Sequence, residues 1–197
     1  MKALLKLSGL IDRINGRVGA WVAWLVLAAV VVSSVNAIIR KIFNMSSNSF
    51  LEIQWYFFSA IFLLCAGYTL LRNEHVKIDV VSHRFSKRGQ IMIDIIGIIF
   101  FLLPISLLVV RLSWPFFWQG LMSSEMSQNA GGLIRWPVYL LIPIGFALLA
   151  MQGVSELIKR FAFLKGLIDD PTRKWQQKSA EEELAEVIKA RAEGAMK

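Results

Sequence analysis

The sequence predicts an all-α integral membrane protein with four transmembrane helices. Of its 197 residues, 56% are hydrophobic and 18% are charged, whereas a typical soluble domain has about 25% charged residues. The apolar residues are concentrated in four runs of roughly 20, the length that a helix needs to cross about 30 Å of hydrocarbon. We therefore expect a four-helix membrane domain over residues 19–157, with an N-terminal segment 1–18 and a tail 158–197 outside it.

Residues 1–18 have the pattern of an amphipathic helix lying in the membrane interface. Apolar residues recur there at three- and four-residue spacing, and basic residues fall on the opposite face. The residues that we expect to meet lipid headgroups are Lys2, Lys6, Arg13 and Arg17, with Trp21 and Trp24 at the start of the first span. The alternative interpretation is that residues 2–18 are a basic extension of that span.

The four predicted spans cover residues 19–39, 50–71, 91–112 and 138–157. The second span has Glu52 near one end and separates small and polar residues from bulky aromatic residues, as packed membrane helices do. The third contains Pro104, which removes one backbone hydrogen bond and predicts a kink. Residues 114–122 continue it as a short amphipathic segment at the opposite interface, and residues 123–132 read as a loop.

The tail after residue 158 is charged. Ser179 precedes Glu182 by three residues, which is the capping-box spacing, and predicts a cytoplasmic helix over about 180–192.

The distribution of lysine and arginine predicts the orientation. Basic residues are most frequent in the N-terminal flank, in the loop between spans 2 and 3, and in the C-terminal flank. The other two connections have only Arg40 with Lys41, and Arg111 with Arg135. By the positive-inside rule, both termini and the middle loop are expected in the cytoplasm. The net charge of +8 is explained by these flanks, so it does not indicate nucleic-acid binding.

No pattern predicts catalysis, a metal site or a cofactor. The sequence has no Gly-rich phosphate loop and no His/Cys cluster with ligand spacing, and its single cysteine, Cys65, is in the middle of a span. Ionisable residues inside spans are candidates for a proton or ion path. Because Glu52 and Asp94 lie near span ends, however, we favour structural contacts for both.

Two groups of short motifs resemble a known family. The first comprises Glu52-Ile-Gln54-Trp55-Tyr56-Phe, Ala66-Gly67-Tyr68 and His75-Val-Lys-Ile-Asp79-Val. The second comprises Glu125-Met-Ser127, Gly131-Gly132-Leu, Trp136-Pro-Val-Tyr139 and Pro143-Ile-Gly145-Phe146. Over residues 15–165 the chain is similar to the small membrane subunit of tripartite ATP-independent periplasmic (TRAP) transporters, the DctQ family. Ile134 departs from the pattern, since many relatives have proline before the tryptophan, and the tail after Asp169 exceeds the family core.

The resemblance implies a non-catalytic subunit of a sodium-coupled, binding-protein-dependent importer in the bacterial inner membrane. A large subunit of about twelve spans would move sodium and an organic-acid-like solute, and a periplasmic binding protein would deliver the solute. The small subunit would pack against the large one and extend its scaffold. The residues expected at partner surfaces are Glu52, Gln54, Trp55, Tyr56, His75, Asp79, Trp118, Glu125 and Trp136. For His75 and Asp79, a polar turn that seats the two spans is the alternative to a partner contact. The alternative functions are a four-span scaffold or assembly protein of another inner-membrane complex, and a small ion channel.

Overall fold

The computed structural model describes residues 1–44, 47–73 and 85–169. These residues form the helices α1 (Lys2–Phe43), α2 (Asn48–Arg72), α3 (Lys87–Gly97), α4 (Leu103–Met122) and α5 (Trp136–Leu164), with a π-helical turn, Ile98–Leu102, between α3 and α4. Four helical stretches, counting α3–α4 as one, are long and apolar enough to cross a membrane. The all-helical, four-span prediction is confirmed. His75, Asp79 and the predicted helix over 180–192 lie outside the described residues.

The first helix runs without interruption through the predicted boundary at residue 18. Its 42 residues give a length of about 63 Å, so residues 2–18 are its first turns and not a separate helix. No proline occurs between Lys2 and Phe43, and a glycine within a helix costs only about 1 kcal/mol. The helix ends at Asn44, which adopts the left-handed conformation common after helix C-termini.

The second helix ends in the same way. Asn73 has a φ of 58°, and its N–H donates to carbonyl oxygens of the last turn of α2. Glu52, Ala60 and Gly67 are buried on one side of α2, while the side chains of Phe58 and Phe62 are 69% and 71% exposed. The predicted separation into a small, polar face and an aromatic face is present.

Helix α5 is the centre of the bundle. It packs against α1, α2 and α4, and α1 also packs against α2. Small residues allow these approaches: a Cβ atom added to Gly145 would lie 2.6 Å from the carbonyl oxygen of Leu63 on α2. Likewise, a Cβ on Gly19 of α1 would lie 2.5 Å from the ring of Tyr68. Close packing through small residues is the usual way in which membrane helices associate.

The helix that was predicted to kink at Pro104 contains a π-helical turn next to this proline. The turn, Ile98–Leu102, directly precedes the first residues of α4, where Pro104 lies. Proline has no N–H to donate to the carbonyl four residues earlier, and a π-turn is a known local adjustment of a helix at such points.

Two helices are longer than the predicted spans. Helix α4 continues through Pro115 to Met122, so residues 114–122 belong to the same helix as span 3. Helix α5 continues to Leu164. Its last turns pack in the bundle, because Arg160 is ion-paired and Ala162 is fully buried there.

The two ends of the bundle hold different helix ends and are called basal and apical. The basal end holds the start of α1 and the end of α5, which contact each other through Ser8 and Ser155. The apical end holds the start of α5, the start of α2 and the loop 123–135. Each end has its own cluster of polar side chains.

Candidate functional site

The apical cluster is organised around the carboxylate of Glu52, in the second turn of α2. Its side chain is buried, with 4% of the residue exposed. It accepts hydrogen bonds from the hydroxyl of Ser127, from Asn129 Nδ2 at 2.8 Å and from the backbone N–H of Leu133 at 2.7 Å. All three donors belong to the loop 123–135, so one carboxylate holds both halves of that loop.

Other polar groups of α2 attach the same loop. Asn48 Nδ2 donates to the carbonyl of Ala130 at 3.1 Å, and the hydroxyl of Ser49 donates to the carbonyl of Gly131. One turn after Glu52, the hydroxyl of Tyr56 donates to the carbonyl of Ile134 at 2.8 Å. The loop therefore lies along the first three turns of α2.

A second, more exposed group closes the loop onto α5. Glu125 Oε1 accepts from Arg135 Nη1 at 3.3 Å and from the Tyr139 hydroxyl at 2.9 Å. Interaction with Tyr139 and with Glu125 raises the pKa of Arg135. The ring of Tyr139 packs on Phe116 with centroids 4.2 Å apart and faces Gly120. This contact joins α4 to the start of α5.

The structure brings some predicted partner residues together and leaves others apart. Glu52, Tyr56 and Glu125 all bind the apical loop or its flanks, and Trp136 begins α5 and packs against Phe117 at 6.5 Å between centroids. Trp55 lines a cavity of about 260 Å³ beside Glu52 and is 65% exposed. Gln54 is half-buried and Trp118 is exposed, and neither bonds to the apical loop.

The predicted lipid-facing residues are all exposed within the chain. They are Lys2, Lys6, Arg13, Arg17, Trp21 and Trp24. The stripe of α1 that packs inside the bundle contains the small or polar residues Ser8, Asn15 and Gly19 together with the apolar Ile11 and Val22. The apolar residues Leu4 and Leu7 point outward, each 46% exposed. Polar residues inside and apolar residues outside are expected for a helix surrounded by lipid.

The basal cluster joins α1, α3 and α5 through buried polar groups. Asn15 and Gln152 have no exposed surface, and Asn15 Nδ2 donates to Gln152 Oε1 at 3.0 Å. Gln152 Nε2 in turn donates to Asp12 at 2.9 Å and to Glu156 at 3.2 Å. The oxygen of Gln152 thus accepts and its nitrogen donates, which settles the orientation of the amide.

Charged groups extend this cluster towards α3. Asp12 pairs with Lys159 at 3.2 Å, and Glu156 pairs with both Lys159 and Arg160. Arg160, only 3% exposed, also donates to Asp94 Oδ2 from Nε at 3.1 Å and from Nη2 at 3.0 Å. One arginine of α5 therefore binds a carboxylate on α3 and a carboxylate one turn earlier on its own helix.

Of this network, the sequence pattern singled out only Asp94, as a structural contact near a span end. Asp12, Asn15 and Ser8 were missed because they were read as part of a surface helix. A usable signal was present: Ser8, Asp12 and Asn15 recur at helical spacing on α1, and Gln152, Ser155 and Lys159 do so on α5. Two polar stripes of this kind on membrane helices predict mutual contact.

The carboxylates of the two clusters were also compared with the arrangement that a metal ion needs. No group of three or more His, Cys, Asp or Glu side chains within the described residues is placed to hold a metal ion. The carboxylates of both clusters are bound by donors that fix helices and a loop.

Fold and sites together define a multi-pass α-helical membrane protein whose polar groups hold its own helices in register. The family model described as "Tripartite ATP-independent periplasmic transporters, DctQ component" matches residues 29–163. The chain belongs to this family and is a small permease component of a TRAP transporter, a protein of the inner membrane. Members of the family act together with a large membrane subunit and a binding protein. No curated protein and no solved structure matches the chain.

Proposed function

We propose that the chain is the non-transporting scaffold subunit of a sodium-coupled importer, and that it packs against the large subunit and extends its static part. One observation supports this role above all. Charged residues lie only near the two ends of the spans, and the stretches 18–39, 53–71, 95–110 and 136–155 contain none. Chains that carry ions or solutes place polar groups near the middle of the membrane.

The basal end is proposed to face the cytoplasm. Lysine and arginine are most frequent at the start of α1, around the connection between α2 and α3, and at the end of α5. The apical loop would then face the periplasm, where the binding protein arrives. Its attachment to α2 through Glu52 gives the partner a surface of defined shape.

The exposed aromatic stripe of α2 is our candidate for the contact with the large subunit. Trp55, Phe58 and Phe62 lie on one side of the helix and are 65–71% exposed. The stripe begins beside the Glu52 cavity, so one partner would cover both. The outer face of α4 is the competing surface, with Leu108 and Leu112 also exposed.

Purification of the tagged chain from native membranes tests the scaffold role. We expect a many-span protein to co-purify in equal amount, and reconstituted transport to require both chains. A partner from an unrelated complex would favour an assembly factor instead. Ion currents from the chain alone in liposomes would favour a channel, and either result contradicts the proposal.

Cross-linking tests the choice of surface. Phe58→Cys should form cross-links to the large subunit in membranes, and the matched variant Leu108→Cys on α4 should not. Cross-links from Leu108→Cys alone would assign the contact to α4, with the scaffold role unchanged.

A further inference from the structure

We propose that a groove at the basal end of the bundle is the docking site of the chain's own tail, residues 170–197. The groove is a cavity of about 840 Å³ between α1, the end of α2 and the end of α5. Its proposed occupant is the helix that the sequence predicts over about 180–192. The groove is separate from the aromatic stripe of α2, and the proposal does not depend on the scaffold role.

The path of the chain after α5 leads to this groove. Gly166 has a φ of 70°, the left-handed conformation that commonly ends a helix and turns the chain away from its axis. Ile168 and Asp169 then line the cavity. Because Asp169 directly precedes the tail, the tail starts at the groove. Residues 170–179 span up to about 35 Å when extended, so the predicted helix can reach any part of the groove.

The groove has the length and the open space that a helix of this size needs. Its wall on α1 runs from Leu5 to Ala20, a rise of about 22 Å, and a helix over about 180–192 rises about 20 Å. Gly9 and Gly16 lie in this wall, and a Cβ atom added to either would meet nothing within 4 Å. A second helix can therefore approach α1 closely along the groove.

Basic residues of α1 form one edge of the groove. At 100° per residue they lie within about 60° of one another and next to the groove-lining positions Gly9 and Gly16. These basic residues are Lys2, Lys6, Arg13 and Arg17. All four are exposed, and none forms an ion pair with another residue in the described part of the chain. Asp12, the one carboxylate among residues 2–17, is already paired with Lys159.

The predicted tail helix has the complementary pattern. Leu184, Val187 and Ile188 recur at three- and four-residue spacing and share one side. Glu181 and Glu183 border that apolar stripe, one on each side. With the stripe on the groove, one bordering glutamate is directed to the basic edge of α1. The predicted helix contains four glutamates and two basic residues, so an anionic membrane surface repels it and the basic edge attracts it.

Disulfide cross-linking of the full-length chain in native membranes tests the proposal. In a Cys65→Ser background, Gly9→Cys is combined with Leu184→Cys, or with the matched control Glu186→Cys on the opposite side of the predicted helix. Because Gly9 has open space around it, its replacement should leave the fold intact. We expect the Leu184 pair to form an intramolecular disulfide at least about tenfold faster, because the bond needs Cβ atoms about 4 Å apart. Equal rates would overturn the proposal.

Photo-cross-linking distinguishes the tail from other occupants. A photoreactive residue replacing Gly16 should attach to residues 180–192, whereas one replacing Gly97, also at an open position, should not. Attachment from position 16 to lipid alone, or to another chain alone, would assign the groove to that occupant and overturn the proposal.

Charge reversal tests the basic edge. Glu181→Lys with Glu183→Lys should slow the cross-linking of Gly9→Cys to Leu184→Cys by about fivefold, the effect of losing one or two exposed ion pairs. Adding Lys6→Glu and Arg13→Glu to the same chain should restore the rate. A rate that stays low would show that the glutamates do not face α1 and would contradict the proposal.

Discussion

The apical and basal clusters satisfy buried carboxylates in different ways. At the apical end, Glu52 accepts hydrogen bonds from neutral donors of one loop. At the basal end, the carboxylates of Asp94 and Glu156 share the cation Arg160, and all three belong to helices. The apical cluster therefore orders a connection, and the basal cluster fixes the register of helices.

The apical and basal clusters also differ in how deeply their side chains are buried. Ser127 and Asn129 remain accessible at the surface of the loop, so water can replace Glu52 as their acceptor. Arg160, Gln152 and Ser155 are almost completely buried, so no water replaces a lost partner there. Removing one member of a buried ion pair leaves an uncompensated charge, which is the most costly type of change.

The largest effect is expected for Arg160→Met. It removes the cation shared by Asp94 and Glu156, and we expect a loss of about 3 kcal/mol in the free energy of unfolding, since Glu156 keeps its ion pair with Lys159. Thermal unfolding in detergent measures it. The control Arg111→Met, at an exposed position of α4, should change stability little. A variant as stable as the wild type would show that Arg160 is not needed for helix register.

A local effect is expected for Glu52→Leu. The N–H of Leu133 loses its acceptor, and amide exchange in the loop 123–135 should become faster by about tenfold, while exchange in α1 and α5 stays unchanged. We also expect a lower yield of the complex with the large subunit, because the partner surface is less ordered. A normal yield of complex with abolished transport would indicate a proton or ion step at Glu52 and contradict this interpretation.

A smaller effect is expected for Tyr139→Phe. The variant loses the hydrogen bond to Glu125 at 2.9 Å but keeps the ring contacts with Phe116 and Gly120. We expect a loss of about 0.5–1.5 kcal/mol in thermal stability. Glu125→Gln, which retains an acceptor for Tyr139, is the companion variant and should cost less. A loss as large as that of Arg160→Met would mean that the apical and basal ends contribute equally.

More of the apical cluster than of the basal cluster was predicted from the sequence. Glu52, Tyr56 and Glu125 were predicted as site residues because they interrupt apolar spans or flank them, and a family motif contains them. Asn129, Leu133 and Arg135 were not, because a loop residue far along the chain gives no local sign that it binds α2. The basal network was missed because a basic helix start resembles a surface helix whether or not its polar side packs inside.

The number of spans and the family were determined by the sequence alone, because hydrocarbon thickness and backbone hydrogen bonding impose a strong and local pattern. Only the tertiary structure decided that α1 is continuous through residue 18 and that its polar stripe meets α5. The same holds for the pairing of Arg160 with Asp94, 66 residues apart along the chain. Such choices depend on which helices become neighbours, and no local pattern encodes that.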